Sequence, residues 1–313
     1  MPDSVDESPD ERYALNLPSL LIPYWDPGER GPTDPGDRGD VRPLPADIIP
    51  YLCEGIMTDS PYKPGNPLTV TVSVRNWGGG VVGSNATVRV WWEDLATSFA
   101  GMTASNLIGV KAVEVAPRGD TKTSEPMTYT FPILSPPHIC LIACVEHSRD
   151  VPPKTQAPPY SLIPLPGIER HWAQHNLTYV EPDSGGTIKL PFMASNPFLG
   201  ESEFLIEARP FTPEKLDRLT RTVHAEPIET EARLEINTVR DLRNMQSQRR
   251  SGESQSVVLD GGSRTAMHLG GQLSRVPQEG QFAAIELLQR RTDDDYTVGG
   301  IAVIVLAPDP ERR

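Results

Sequence analysis

Proline is the residue that most restricts how this chain can fold. The sequence has 33 prolines among 313 residues, about twice the usual share of ~5%. Proline has no backbone N–H to donate to a sheet, and inside a helix its ring clashes with the preceding turn. Long helices are therefore disfavoured over most of the chain, and strands, turns and extended connections are expected.

Between the prolines, apolar and polar residues alternate with the period of two that is typical of half-buried strands. In the first half of the chain the strands predicted in this way are 68–74, 87–92, 108–115, 127–131 and 174–180, whereas 139–145 is apolar on both faces and is predicted to be a central strand. In the second half they are 188–194, 204–208, 257–259, 264–269, 282–289 and 297–306. This rhythm predicts a mostly β protein with two immunoglobulin-like antiparallel β-sandwiches in tandem.

The length also favours two domains, because single hydrophobic cores stop growing at roughly 250–300 residues. We expect an extended N-terminal arm over 1–46, one immunoglobulin-like domain over 47–182, a second β-sandwich over 183–308 and a tail over 309–313. The arm is rich in Pro, Gly and Asp and cannot fold alone, so we expect an extended segment with one anchored apolar patch at Leu20, Leu21, Ile22, Tyr24 and Trp25. A disordered tail is favoured over an arm that docks on a neighbouring subunit.

Two parts of the second domain have helical features. Thr212 followed by Pro213 is typical of a helix start, with Thr212 as the cap, and predicts a short helix there. Residues 229–249 are ambiguous: Leu234 and Ile236 fit a strand, whereas helical spacing relates Ile236, Val239, Leu242 and Met245. The segment RRTDDDY at 290–296 is predicted to be the hairpin loop before the last strand.

The charge of the chain restricts its partners. A net charge of −13 and a pI near 5.0 argue against binding to nucleic acid or to an anionic membrane surface. The sequence has no apolar run near the ~20 residues that span a bilayer, and its N-terminus lacks the pattern of a signal peptide. The expected location is the cytoplasm, or release or surface exposure without a cleaved signal.

The cysteines do not form a disulfide framework. There are three, Cys53, Cys140 and Cys144, and the last two lie four residues apart on one predicted strand, too far apart to bridge. Reduced, buried thiols are expected. A disulfide between Cys53 and either Cys140 or Cys144 is the alternative.

Several segments of the first half together resemble the bacterial cell-adhesion-related immunoglobulin-like domain called CARDB. The resemblance covers about residues 47–181 and is carried by LTVTVSVRNWGGG, NATVRVWWEDL, LIGVKAVEVAPRGD, PPHICLIACVEHSRDVPP and WAQHNLTYV. It implies a sandwich core and supplies no catalytic residues. Within it, Asn76 and Gly78 are expected in a tight turn, and Asn176 is expected to cap backbone groups. Residues 184–308 resemble the β-sandwich that often follows such a domain.

Two pairs of residues are candidates for a reactive or metal-binding site. His171 and His175 have a spacing that suits a metal on a helix, but here they precede or begin a strand, which separates them. His138 and Cys140 alternate on a strand, so contact between them would allow a Cys/His hydrolase, although a thiol in an apolar strand is expected to be inert. We therefore predict no catalytic, cofactor-binding or metal-binding residues.

Three further patterns allow ligands. The loop Asp293–Asp295 carries carboxylates that suit a calcium ion, although such a run is more often a solvated hairpin tip. Arg-Gly-Asp occurs at 38–40 and at 118–120, where chance or receptor binding explains it. Exposed tryptophans would make a carbohydrate-binding platform, with Trp77, Trp91 and Trp172 as the candidates.

Three functional hypotheses follow. The first is a non-catalytic structural or adhesive protein that contacts protein partners, or itself, through sheet edges, loops and the N-terminal arm, as one component of a larger assembly. The second is a carbohydrate-binding or accessory module, and the third is the Cys/His hydrolase.

Overall fold

The computed structural model describes residues 8–80, 84–98, 104–152, 165–238 and 253–307, and most of these residues lie in strands, which confirms the mostly β class. The first half contains α1 (Pro9–Ala14), β1 (Leu20–Leu21), β2 (Ile56–Thr58), β3 (Pro67–Asn76), β4 (Ser84–Asp94), a 3₁₀ turn (Ala104–Asn106), β5 (Leu107–Val115), β6 (Asp120–Thr123), β7 (Met127–Thr130), β8 (Ile139–Glu146), β9 (Trp172–His175) and β10 (Leu177–Val180). The second half contains β11 (Thr187–Ser195), β12 (Ser202–Pro210), α2 (Pro213–Val223), β13 (Glu226–Pro227), β14 (Ala232–Thr238), β15 (Ser254–Leu259), β16 (Arg264–Leu273), β17 (Gln281–Arg291) and β18 (Thr297–Leu306).

The first sandwich packs two sheets face to face. In one sheet β3 is the common partner of β1, β2, β6 and β7, and the other sheet has the order β5-β4-β8-β9. The inward residues of both sheets form one buried cluster that includes Val70, Val88 and Leu141. Val70 and Val88 belong to strands predicted from the period of two, and Leu141 belongs to the predicted central strand.

The second sandwich pairs a three-stranded sheet, β11-β16-β14, with a larger sheet of the order β10-β18-β17-β12-β15. Its core includes Ile188, Leu190, Phe204 and Ile301. The predicted fold is confirmed as a β-sandwich, but the larger sheet is mixed. β10 pairs with β18, and β13 with β17, in parallel, so the prediction of purely antiparallel sheets was wrong at these two places.

The N-terminal arm is part of the first sandwich, and the prediction of a disordered tail was wrong for residues 8–46. The apolar run Leu20–Trp25 is buried in the first core, and β1 pairs with β3. Arg75 fixes the segment that follows: its guanidinium donates to the carbonyl oxygens of Trp25 (3.2 Å) and Asp37 (3.3 Å). The composition of the arm is typical of disorder, but its apolar run packs into the core of the first sandwich. It is therefore not available as an anchor on another subunit.

A glycine-rich segment allows the arm to approach. Any side chain on Gly78 would collide with the backbone of Leu17 and Ser19. The side-chain oxygen of Asn76 accepts hydrogen bonds from the backbone N–H groups of Ser19 and Gly78, both at 3.0 Å. The predicted turn at Asn76 and Gly78 is thus also the surface that receives the arm, and glycine is required there for close packing of two backbones.

The predicted strand 174–180 is two strands in two different sheets. β9 pairs with β8 in the first sandwich, whereas β10 pairs with β18 in the second. The chain changes sheets at Asn176, whose buried side-chain amide donates to the carbonyl oxygens of Ala96 and Gly300, both at 2.6 Å. Asn176 therefore joins the two sandwiches, where the sequence predicted only a local backbone cap.

Helix α2 covers the outer face of the larger sheet of the second sandwich. Its start at Pro213 after Thr212 is as predicted, although the Thr212 side chain makes no capping hydrogen bond. Beneath the helix, the buried carboxylate of Glu286 accepts hydrogen bonds from Lys215 (2.6 Å), Arg209 (2.9 Å) and the Tyr51 hydroxyl (2.6 Å). This cluster attaches the helix and a segment of the first half to the second sandwich.

Two open questions from the sequence are answered in part. Residues 232–238 form β14, with Leu234 and Ile236 buried on one face, so the strand interpretation is confirmed for this part of 229–249. Val239, Leu242 and Met245 lie outside the described residues. All three cysteines are free and buried, so Cys53 does not pair with Cys140 or Cys144. Among the described helices, none is long and apolar enough to span a membrane.

Candidate functional site

A groove of about 650 Å³ lies between the first sandwich and the end of α2. Its walls are β2, the segment 137–139, the strands β9 and β10 near their junction, and residues 221–224 of the second half. The volume lies in the usual range for a ligand site. The groove exists because the chain changes sheets at Asn176, which places an edge of each sandwich side by side.

Two histidines line the groove. The His138 ring nitrogen Nδ1 lies 2.5 Å from the Thr178 hydroxyl, and Nδ1 of His175 lies 3.0 Å from the Cys53 carbonyl oxygen. Burial lowers the pKa of both rings. Both are therefore neutral at pH 7, and each already has a hydrogen-bond partner, so they bring polarity to the groove without charge.

Some charged side chains at the groove form ion pairs with described residues, and Asp59 does not. Arg221 pairs with Glu29 (3.2 Å) and Glu54 (3.6 Å). Burial raises the pKa of Glu54, and the neighbouring Glu29 raises it further. Asp59, at the exposed rim, accepts hydrogen bonds from the Thr69 backbone (3.1 Å) and the Ser60 hydroxyl (3.2 Å), and it has no ion pair with any described residue. The rim therefore presents one uncompensated negative charge.

A proline-rich loop, residues 131–137, projects beside the groove. Ile133 is 84% exposed and Leu134 is 97% exposed, the two most exposed large apolar side chains among the described residues. The Tyr62 hydroxyl donates to the Pro136 carbonyl (2.8 Å), and Ser135 N–H donates to the Pro132 carbonyl (3.0 Å). The loop thus holds two adjacent aliphatic side chains in water on an ordered backbone.

The Cys/His pair considered in the sequence is not assembled. The Cys140 thiol is buried and accepts a hydrogen bond from the Gln174 amide (3.2 Å), whereas His138 contacts Thr178. Burial raises the pKa of the Cys140 thiol. The arrangement therefore lacks the lowered pKa and the open cleft that a thiolate nucleophile requires.

His171 and His175 are also engaged separately. His171 lies between Glu169 (Nδ1, 2.7 Å) and Asp150 (Nε2, 3.2 Å) in a buried charged cluster, while His175 faces the groove. Among the described residues, no group of three or more His, Cys, Asp or Glu side chains is arranged to hold a metal ion.

Two of the three aspartates in the acidic loop between β17 and β18 pair with arginines. Asp294 pairs with Arg291, and Asp295 pairs with Arg290. These contacts occupy carboxylate oxygens that a calcium ion would need.

The two Arg-Gly-Asp tripeptides lie on the same tryptophan. The Arg38 guanidinium stacks over the Trp77 ring at 5.2 Å, and a Cβ on Gly119 would lie 2.9 Å from the same ring. Arg118 stacks over Tyr13 at 4.3 Å. The arginines of both tripeptides thus stack on aromatic rings and connect the arm to the first sandwich, although Arg118 stays exposed.

The three candidate tryptophans differ in burial. Trp172 is buried and stacks on Trp91 with 6.0 Å between the ring centres. Trp77 lies against Arg38 and Gly119, and Trp77 and Trp91 are half-buried. Trp172 is therefore not an exposed stacking surface, and carbohydrate binding stays a prediction.

Sequence reasoning missed the groove and the loop. The groove depends on contacts between residues far apart in the chain, and no local pattern indicates them. The loop had a signal in FPILSPP, because Ile133 and Leu134 stand between prolines, outside any alternating strand pattern.

No protein-family model and no curated protein matches the chain. Among solved structures, the N-terminal domain of PorA is 11% identical with a TM-score of 0.27, over 42% of this chain and 87% of that one. The CupB6 tip adhesin from Pseudomonas aeruginosa is 9% identical with a TM-score of 0.23, over 81% and 93%. Red sea bream transglutaminase is 11% identical with a TM-score of 0.21, over 82% and 31%. Similarities at this level carry no argument about function, and the resemblance to CARDB stays a prediction.

Proposed function

We propose that this chain is a non-catalytic β-sandwich module that binds a partner protein, as one component of a larger assembly. The contact face is the groove together with the 131–137 loop. The observation that carries the proposal is the near-complete exposure of Ile133 and Leu134, side by side on an ordered loop.

The physical argument is the free energy of burying apolar surface. Fully burying a Leu or Ile side chain contributes about 1.5–3 kcal/mol. A partner that covers both Ile133 and Leu134 gains this without ordering the loop first, because prolines and the Tyr62 hydrogen bond already fix its backbone. An exposed apolar pair beside a concave groove is a typical arrangement for protein recognition.

The absence of catalysis is part of the proposal, and the chemistry of the described residues supports it. The three thiols are buried, and burial raises the pKa of each. The two groove histidines are held by Thr178 and Cys53.

The test compares two double variants as bait for partner proteins. Ile133→Ser with Leu134→Ser removes the exposed pair beside the groove. Leu199→Ser with Val258→Ser, at positions 61% and 60% exposed on the second sandwich, is the matched control. We expect a partner retained by the wild type and the control to be lost from the loop variant. A partner retained equally by all three proteins would contradict the proposal.

A further inference from the structure

We propose that the occupant of the groove is an extended peptide of the partner, which adds as a strand to the free edge of β10. This inference rests on the proposed function, since it specifies how a partner is recognised at the same face. Main-chain hydrogen bonds to β10 would supply the affinity, and the side chains and charges that line the groove would supply the selectivity.

The free edge follows from the register of β10. β10 is the last strand of its sheet and pairs with β18 in parallel, with the Ala302 N–H donating to the Asn176 carbonyl at 2.9 Å. In a parallel pair of strands, every second residue directs both its N–H and its C=O group toward the neighbouring strand. Thr178 therefore faces β18, and the N–H and C=O groups of Leu177 and Tyr179 face the other way.

These outward groups have no partner within the described part of the chain. No second strand pairs with β10, and no hydrogen bond joins the backbone of Leu177 or Tyr179 to another described residue. Both residues line the groove. A row of unpaired backbone donors and acceptors is a template for another strand.

The walls of the groove favour a single extended chain. The edge of β10 lies between β2 and the segment 137–139 on the first sandwich and residues 221–224 at the end of α2. The same edge of a second copy would carry its own two walls, so edge-to-edge pairing of two copies is disfavoured. A peptide strand has no such obstruction.

The lining also specifies the chemistry of the peptide. Apolar side chains from both halves that are at least partly exposed, namely Met57, Leu177 and Val223, suit alternate apolar residues of an added strand. Asp59 has no cationic partner among the described residues, whereas Arg221 is already paired with two glutamates. With a net charge of −13 on the chain, the geometry favours a peptide that carries Lys or Arg at the end near Asp59.

The test uses displayed random peptides of about ten residues, selected on the full chain. Tyr179→Pro removes the outward N–H without touching the bonds to β18, and proline is tolerated on such an edge. Tyr179→Val is the matched control, because it loses the same ring but keeps the N–H. We expect enriched peptides with alternating apolar residues and a basic end, which bind Tyr179→Pro at least about tenfold more weakly than Tyr179→Val.

A second measurement does not depend on the variants folding. Two versions of an enriched peptide are made, one methylated on its odd-numbered backbone nitrogens and one on its even-numbered backbone nitrogens. One version should lose binding to the wild type, and the other should bind as the unmethylated peptide does. Failure to enrich such peptides, equal binding to Tyr179→Pro and Tyr179→Val, or indifference to both methylation sets would overturn the inference. A partner lost from the Ile133/Leu134 variant but unaffected by Tyr179→Pro would overturn only the strand inference and leave the proposed function standing.

Discussion

One carboxylate holds much of the arm in place. Asp150 is buried and accepts a hydrogen bond from the Leu20 backbone N–H (2.6 Å), and it pairs with Arg170 (2.8 Å) and Arg12 (3.1 Å). His171 completes the cluster at 3.2 Å. Burial disfavours the charged carboxylate, but the contacts with His171 and Arg170 outweigh burial and lower the pKa of Asp150 to about 2.

This lowered pKa predicts a loss of stability in acid. The gap between the unfolded value of 3.8 and about 2 corresponds to about 2 kcal/mol. A lowered carboxyl pKa stabilises the fold above the unfolded value, so this contribution should disappear as the pH falls from about 4 to about 2. We expect the free energy of unfolding of Asp150→Asn, measured with urea, to vary less with pH in this range than that of the wild type. Asp217→Asn, at an exposed position on α2, is the control and should vary as the wild type does.

His171 predicts the opposite trend at higher pH. Burial disfavours its charged form, but hydrogen bonds to Asp150 and Glu169 outweigh burial and raise its pKa. A raised histidine pKa stabilises the fold below the unfolded value, and the contribution is lost as the pH rises through the folded value. The unfolding free energy of His171→Gln should vary less with pH above about 6.5 than that of the wild type. Identical profiles would show that the ring is not charged in the folded protein.

At the scale of elements, the sequence predicts strands well where apolar residues alternate and neighbours supply the core. β3, β8, β11 and α2 follow from local patterns. The division at Asn176 does not, because it depends on the carbonyl oxygens of Ala96 and Gly300, which are distant in the chain. The arm was predicted to be disordered because its average composition was given more weight than its apolar run, which the first core buries.

The arm should therefore contribute to global stability. Leu20→Ala should lower the free energy of unfolding by about 2–5 kcal/mol, because Leu20 is fully buried and a cavity would remain. Leu15→Ala, in the same arm but 56% exposed, should change it by less than about 0.5 kcal/mol. Equal small effects in urea unfolding would contradict the assignment of the arm to the core.

At the scale of the molecule, the two sandwiches are joined by buried polar contacts. Besides Asn176, the Thr97 hydroxyl donates to the Gln289 side chain, and the Tyr51 hydroxyl donates to Glu286. The groove is a consequence of this junction, since the two edges that form it come from different sandwiches. The groove is therefore a property of the pair, and neither half forms it alone.

The junction should make unfolding cooperative. Asn176→Ala removes two buried hydrogen bonds and leaves their carbonyl acceptors unpaired, so it should cost about 2 kcal/mol or more. Asn85→Ala, at an exposed position on β4, should have little effect. Calorimetry of the wild type should give a single transition. Two well-separated transitions, unchanged by Asn176→Ala, would contradict a coupled pair.

The most direct measurement is amide hydrogen exchange along β10 in the free protein, resolved by residue. Thr178 and Val180, whose N–H groups face β18, should exchange slowly, and Leu177 and Tyr179, whose N–H groups face the groove, should exchange fast. This alternation would show that the groove presents an unpaired strand edge. Uniform protection of all four amides would mean that the edge is already occupied, and it would contradict the account of how this protein binds a partner.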